Sequence, residues 1–241
     1  MKMNKKKVFT LALAVCLIAI LSMGSLAWFT DSEQIDNDFM IAGSEDGNAD
    51  KVFSVDVWED KDGDGNPDDD IDGVDEGLIY ENILPGDELT KNVYVKNTGS
   101  YEQYIRVIVV ISNAAQWREV LGTNDIPELT AIVDLDTTLW NPAYKMYDAD
   151  NNTFWYSLYY KNTLPAKQNN EIKVFGTVSI PESMTREQAA TFMGGFDIAV
   201  VAQAVQTQNV GGNAPAAFTT VGLDAKAAYD AVIAKWNTPN P

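Results

Sequence analysis

Histidine is absent from this 241-residue chain, and cysteine occurs once, at Cys16. The first absence removes Ser-His-Asp and Cys-His nucleophile systems and His-ligated zinc together. The second leaves no pair of thiols for an internal disulfide, so a fold must rest on its core, on a metal or on neighbours. Base is scarce as well: 17 Lys and Arg stand against 35 Asp and Glu, a formal charge of −18. Nucleic acid and anionic lipid headgroups both attract Lys and Arg, so neither is expected as a partner. Hydrolysis by carboxylates alone has no positive support, and no catalytic residue is assigned. Internal repeats are lacking too.

Charge is also missing between Val8 and Thr30, and there the absence is informative. Lys2, Lys5, Lys6 and Lys7 precede an apolar run from Val8 to Leu21, and Ser25-Leu26-Ala27 supplies small residues at −3 and −1. That is the three-part layout of a secretory signal peptide over residues 1–27, with cleavage expected between Ala27 and Trp28. The competing reading is an uncleaved anchor, since 22 residues at ~1.5 Å rise reach ~33 Å. Ser22, Gly24 and Ser25 weaken that helix and suit a cleavage region. A lipoprotein reading through Leu13-Ala14-Val15-Cys16 is poor, because the apolar run continues past Cys16. Contact with the membrane is thus expected only in transit. Cleavage would remove four lysines and no acid, taking the charge from −18 to −22 and the only cysteine with it.

Beyond the leader, period-two patterns dominate. Phe53, Val55 and Val57 alternate with Ser54, Asp56 and Trp58. Val93 and Val95 share one face of a strand predicted over Leu89–Lys96. Tyr104–Ile111 is near-continuously apolar and β-branched, as a strand buried on both faces would be. Further strands are predicted at Thr153–Tyr160, Ile172–Ile180 and Phe196–Val205. Leu84-Pro85-Gly86-Asp87 fits a type II turn, and Asn97-Thr98-Gly99-Ser100 a tight reversal. Many short strands with this punctuation predict an all-β, antiparallel β-sandwich over residues 46–222.

Helices are accessories in this reading. Ala114–Leu121 is a short candidate ended by Gly122. Thr185 and Gln188 form a capping box for a helix running to Met193. Asp224 caps a stronger one within residues 223–241, with Ala228, Tyr229, Val232, Ile233 and Trp236 at helical spacing. That helix is expected to pack on the sandwich, the alternative being a partner-binding role. Val210–Ala217, rich in Gly, Asn, Ala and Pro, reads as a loop. In Phe154–Tyr160, alternation places Phe154, Tyr156, Leu158 and Tyr160 on one face. A core strand explains this better than a carbohydrate platform.

Between Glu59 and Glu76 stand ten acids, with Lys61 the only base. Asp60, Asp62 and Asp64 alternate before Gly65, Asn66 offers a backbone carbonyl, and Asp68 a direct or water-bridged oxygen. Hard oxygens at this spacing suit calcium in a structural role, better than magnesium, which tolerates irregular cages poorly. The match to an EF-hand loop is partial: Ile71 stands where the bidentate Glu belongs, and the flanks read as strands. Asp70, Asp72 or Asp75 would close the shell. The alternative is a solvated acidic hairpin tip.

Three blocks resemble the TasA/camelysin group of secreted proteins from Gram-positive bacteria. Ala27-Trp28-Phe29-Thr30-Asp31 is similar to the region cut by the family's SipW-type signal peptidase. Leu84–Lys91 with Val95–Ser100 is similar to its turn, strand and turn, and Ile198–Gln208 to its closing strand. Residues 113–170 do not follow the pattern. The resemblance implies a jelly-roll-like sandwich, secretion to the matrix or cell surface, and self-association into biofilm-matrix filaments. It further implies that the freed leading segment, residues 28–45, adds as a donor strand to the next subunit. The residues themselves agree: Ile35, Phe39 and Ile41 would share a face if extended, and so much apolar surface needs cover. The alternative is that this strand pairs within its own sandwich, as a monomer would require, and both arrangements are compatible in different states. Camelysins are described as metallopeptidases, but no HExxH occurs here to carry that over. The expectation is a non-enzymatic fibre subunit; its rivals are a monomeric calcium-dependent adhesin or matrix accessory, and a metallopeptidase.

Overall fold

The computed structural model describes residues 30–34, 54–62, 70–71, 74–75, 80, 83–166, 171–192 and 195–238. Among them ten strands run in the order β1 (Thr30–Gln34), β2 (Val55–Asp60), β3 (Asp70–Ile71), β4 (Val74–Asp75), β5 (Glu88–Asn97), β6 (Gln103–Ser112), β7 (Trp140–Asp148), β8 (Thr153–Tyr160), β9 (Glu171–Ser179) and β10 (Ile198–Gln206). Among the described residues four α-helices join them, α1 (Ala114–Val120), α2 (Arg186–Thr191), α3 (Ala214–Val221) and α4 (Ala225–Trp236), with a 3-10 turn at Leu129–Ala131. One antiparallel sheet has the order β1-β10-β6-β8-β7, the second β2-β5-β9, and β3-β4 is a separate ribbon. The all-β sandwich expected from alternation is present. Among the described residues no helix is long and apolar enough to cross a membrane.

The core fills the space between the two sheets. Val55, Val57, Val93, Val95, Phe175 and Val178 from the small sheet meet Ile105, Val107, Val109, Ile111, Phe154, Tyr156 and Leu158 from the large one. Strand β6 is buried along almost its whole length, as its unbroken apolar run requires. Its odd-numbered residues face the other sheet, while Ile108 and Val110 face helix α4 through Ala228, Tyr229 and Val232. Helix α3 covers the same outer face further along, with Ala217 and Phe218 against Val205, Tyr104 and Tyr159. Phe154, Tyr156 and Leu158 are core, while Trp155 and Tyr159 lie on the helix-covered side.

The turn chemistry is resolved in detail. Gly86 sits at φ 87°, and the Asp87 amide donates to Leu84 O at 3.1 Å, as a type II turn demands. The reversal at Asn97–Ser100 exists, but β5 and β6 belong to different sheets, so the chain crosses from one layer to the other there. Asn97 holds this crossing: its Nδ2 donates to Tyr101 O, Leu164 O and Pro165 O at 2.7, 3.0 and 3.1 Å, and its Oδ1 accepts from Gly99 N at 2.9 Å.

Helix ends follow the sequence signals in three cases. Gly122 (φ 63°) follows α1, Thr185 and Gln188 form the reciprocal box of α2, and Asp224 accepts from Lys226 N at the start of α4. The expected loop over Val210–Ala217 is incorrect, because α3 begins within it. Asn213 caps that helix by accepting from Ala216 N at 3.0 Å, and Pro215 falls in the first turn, where no amide partner is lost. Gly222, at φ 69°, ends it.

Candidate functional site

The large sheet ends on one side at β1, the described part of the leading segment. Thr30 to Gln34 pair antiparallel with Val205 to Val201 of β10 of the same chain in unbroken register, which is the alternative of pairing within its own sandwich. On its other side β10 pairs with β6, and Val200, Ala202 and Ala204 of β10 belong to the core. The strand that closes this edge reads Thr-Asp-Ser-Glu-Gln, without one apolar side chain. Its backbone pairs with β10 along all five residues. Ala27, Trp28, Ile35, Phe39 and Ile41 lie outside the described residues.

The acidic loop leaves from the far end of β2. Asp60 is its last residue, 1 % exposed, and its carbonyl accepts from Asn92 Nδ2 at 3.0 Å. Glu59, beside it, is buried in an ion pair with Lys91. Trp58 stacks on Tyr94 at 4.5 Å, and burial first, then the Asp60 and Glu171 charges, raise the Tyr94 pKa. Lys61 lies over the Tyr80 ring at 4.7 Å, and Asp62 is exposed. Asp64, Asn66 and Asp68 fall outside the described residues. Past them the chain forms the β3-β4 ribbon, in which Asp70 is registered opposite Asp75. The flanks are strands, as expected. Among the described residues no group of three or more acids converges on one point.

The outer face of the large sheet carries a polar cluster at the end of β7. Tyr229 of α4 donates to Asp148 Oδ2 at 2.6 Å, and its hydroxyl lies 2.9 Å from Thr153 Oγ1. Burial, then the Asp148 carboxylate, pushes the Tyr229 phenol up to about 12. The same O–H, with Asn151, holds the Asp148 carboxyl below the usual carboxylate range. Further along, Arg106 is buried over the Phe218 ring at 4.3 Å and donates from Nε to Gln203 Oε1 at 2.8 Å. Burial lowers its pKa.

Helices α3 and α4 leave the β7 margin of this face uncovered. There Tyr144, Met146, Trp155 and Tyr159, with Asp224 and Lys226 from the start of α4, line an open groove of about 430 Å³. Tyr144 leans on Trp155 at 4.9 Å between ring centroids. Strand β7 is absent from the sequence reading, because Pro142 and a register shift between Pro142 and Tyr144 obscure its alternation. The signal that could have found it is the Tyr144/Met146 pair ahead of the Asp148–Asn152 turn residues. No protein-family model, curated protein or solved structure matches this chain.

Proposed function

We propose that this protein is an exported, non-enzymatic structural subunit of extracellular biofilm-matrix filaments, of jelly-roll-like topology, in which leading strands are exchanged between copies. The reading is carried by one observation: the leading segment supplies a polar edge strand, Thr30–Gln34, to a strand of the main sheet. Ordering five residues costs roughly 5–10 kcal/mol at 1–2 kcal/mol each. Net gains of ~1 kcal/mol per ladder bond nearly offset that and no more. An element so balanced opens readily, and every other copy offers an identical β10 edge to receive it. A swap is then favoured by whatever apolar surface the continuation, with Ile35, Phe39 and Ile41, buries on the neighbour. The contact is head-to-tail, so it propagates wherever its rotation does not close a ring.

Calcium at the acidic loop is part of the same proposal, as a stiffening ion. It is supported by the spacing of Asp60, Asp62, Asp64, Asn66 and Asp68 and by the opposed Asp70 and Asp75. Export through a SipW-type peptidase rests on the resemblance at Ala27–Asp31.

The test is electron microscopy of the secreted protein beginning at Trp28, beside a version lacking residues 28–43. Filaments from the first and none from the second are expected. Filaments unchanged by the truncation would transfer support to a surface adhesin, and chelator-sensitive casein hydrolysis by pure protein would install the peptidase.

A further inference from the structure

Strand β8 turns its two faces to different surroundings. Phe154, Tyr156 and Leu158 are core, whereas Trp155, Ser157 and Tyr159 line the open groove beside α4. Two buried donors in that lining lack an acceptor. The Trp155 indole N–H, on a residue 4 % exposed, has no hydrogen-bond partner among the described residues. Ser157 is 3 % exposed, and its hydroxyl likewise makes no hydrogen bond among the described residues. Buried polar groups are normally paired, so two orphans in one place call for an acceptor from outside the chain.

The rest of the lining narrows the chemistry. Tyr144, 45 % exposed, stands in register with Ser157 across β7 and β8, and Met146, 38 % exposed, with Trp155. Directly opposed residues lie ~4.5–5.5 Å apart at Cβ, which sets the Tyr144 ring beside the Ser157 hydroxyl. That ring tilts 49° from Trp155, so the two do not shut flat on each other. Asp224 accepts the Lys226 amide at 2.9 Å, and a carboxylate keeps further acceptor sites. Lys226 Nζ is taken by Asp230 at 2.6 and 2.7 Å, so the described lining offers an acid and no spare cation.

The fitting ligand is apolar on one side, donates hydroxyls to a carboxylate, and offers oxygens to the serine and the indole. A hexopyranose ring does all three, with its C–H face against an aromatic side chain. An anion would meet Asp224 and Asp230 on a chain of charge −18. An extended peptide joining the β7 edge would need a continuous ladder, which Pro142 and the shift before Tyr144 interrupt.

We propose that this groove binds a neutral hexose unit of a polysaccharide. Its apolar face lies on Tyr144 and Met146 and its hydroxyls on Ser157 and Asp224, with the Trp155 N–H uncovered by a side-chain shift on binding. The volume of about 430 Å³ falls within the ~300–1,000 Å³ of small-molecule sites, and the open ends suit an internal unit of a longer chain. The inference stands apart from strand exchange.

The test titrates the secreted protein, beginning at Trp28, with cellohexaose, maltohexaose and mannohexaose by calorimetry. Binding of at least one is expected, weakened at least tenfold by Tyr144→Ala and at least threefold by Ser157→Ala. Leu84→Ala, at an exposed apolar side chain outside the groove, should leave it unchanged. Hexagalacturonate, an anionic probe, should bind at least tenfold more weakly. Tyr144 is exposed and the Ser157 hydroxyl holds no bond among the described residues, so neither change endangers the fold. Binding to none of the three neutral hexaoses, or binding that both substitutions leave intact, overturns the inference. So does a groove that refuses every hexaose yet takes a peptide of residues 28–45 in a Tyr144-dependent way, which would assign it to the leading segment.

Discussion

Replacing Asn97 offers the sharpest test of how the two sheets are joined. The residue is 1 % exposed at the crossing from β5 to β6, with two amide hydrogens shared among three carbonyls and one amide donating to its oxygen. Asn97→Ala removes all four contacts. Two of the groups left behind keep another partner: Leu164 O still accepts from Gln103 N, and Gly99 N still reaches Ser54 O. At ~1 kcal/mol per bond, with that compensation, the loss is ~2–4 kcal/mol. For a chain of this size that lowers Tm by ~5–15 °C.

Asn97→Asp should be worse at neutral pH, although it retains the bond from Gly99. Its second oxygen would face three carbonyl oxygens, and burial without a donor raises a carboxyl pKa. A pKa raised above the unfolded value of ~3.9 gives stability that is full below that value and lost as pH rises through the folded one. The Asn97→Asp protein should therefore lie closest to the parent near pH 4 and diverge from it towards pH 7. Thermal unfolding followed by circular dichroism across this range, with parent and Asn97→Ala as references, measures it. Equal stability of the Asp and Ala variants at pH 7, or divergence in the opposite direction, would refute the proposed hydrogen-bond geometry.

Tyr229→Phe should cost ~1 kcal/mol in urea unfolding. It should also weaken the acid sensitivity due to Asp148, whose depressed pKa adds stability above the usual carboxylate range that is lost as pH falls through the folded value. Asn213→Ala should cost about 1 kcal/mol through the lost cap of α3. Gly211→Ala should also destabilise, because its Cβ would come within 2.3 Å of the Ala216 Cβ and 2.8 Å of the Ala216 carbonyl carbon. Calorimetric titration of the secreted protein with calcium should give a binding isotherm that weakens at least tenfold in Asp62→Ala and in Asp64→Ala. Identical isotherms in all three would reduce the loop to a solvated acidic tip.

Sequence alone determined the elements whose causes are local. A period-two run fixes a strand, as at Thr153–Tyr160, where the expected and observed bounds coincide. A side chain that reaches its own backbone fixes an end, as in the capping box of Thr185 and Gln188 and the Asp224 cap. A glycine forced to positive φ fixes the turn at Gly86. Tertiary structure decided which strands are neighbours. Nothing local distinguishes a hairpin from a crossing between layers, and Asn97–Ser100 became a crossing because its hydrogen bonds lead to residues 164 and 165. Strand β7 likewise depends on pairing with β8, which outweighs Pro142 at an edge. Helix α3 forms because Ala217 and Phe218 find an outer sheet face to cover. The groove lies where the first residues of α4 come beside Tyr144 and Met146 of the sheet's last strand, a meeting of distant segments. Periodicity and capping act over a few residues, whereas burial requires a partner surface that only the assembled fold brings near.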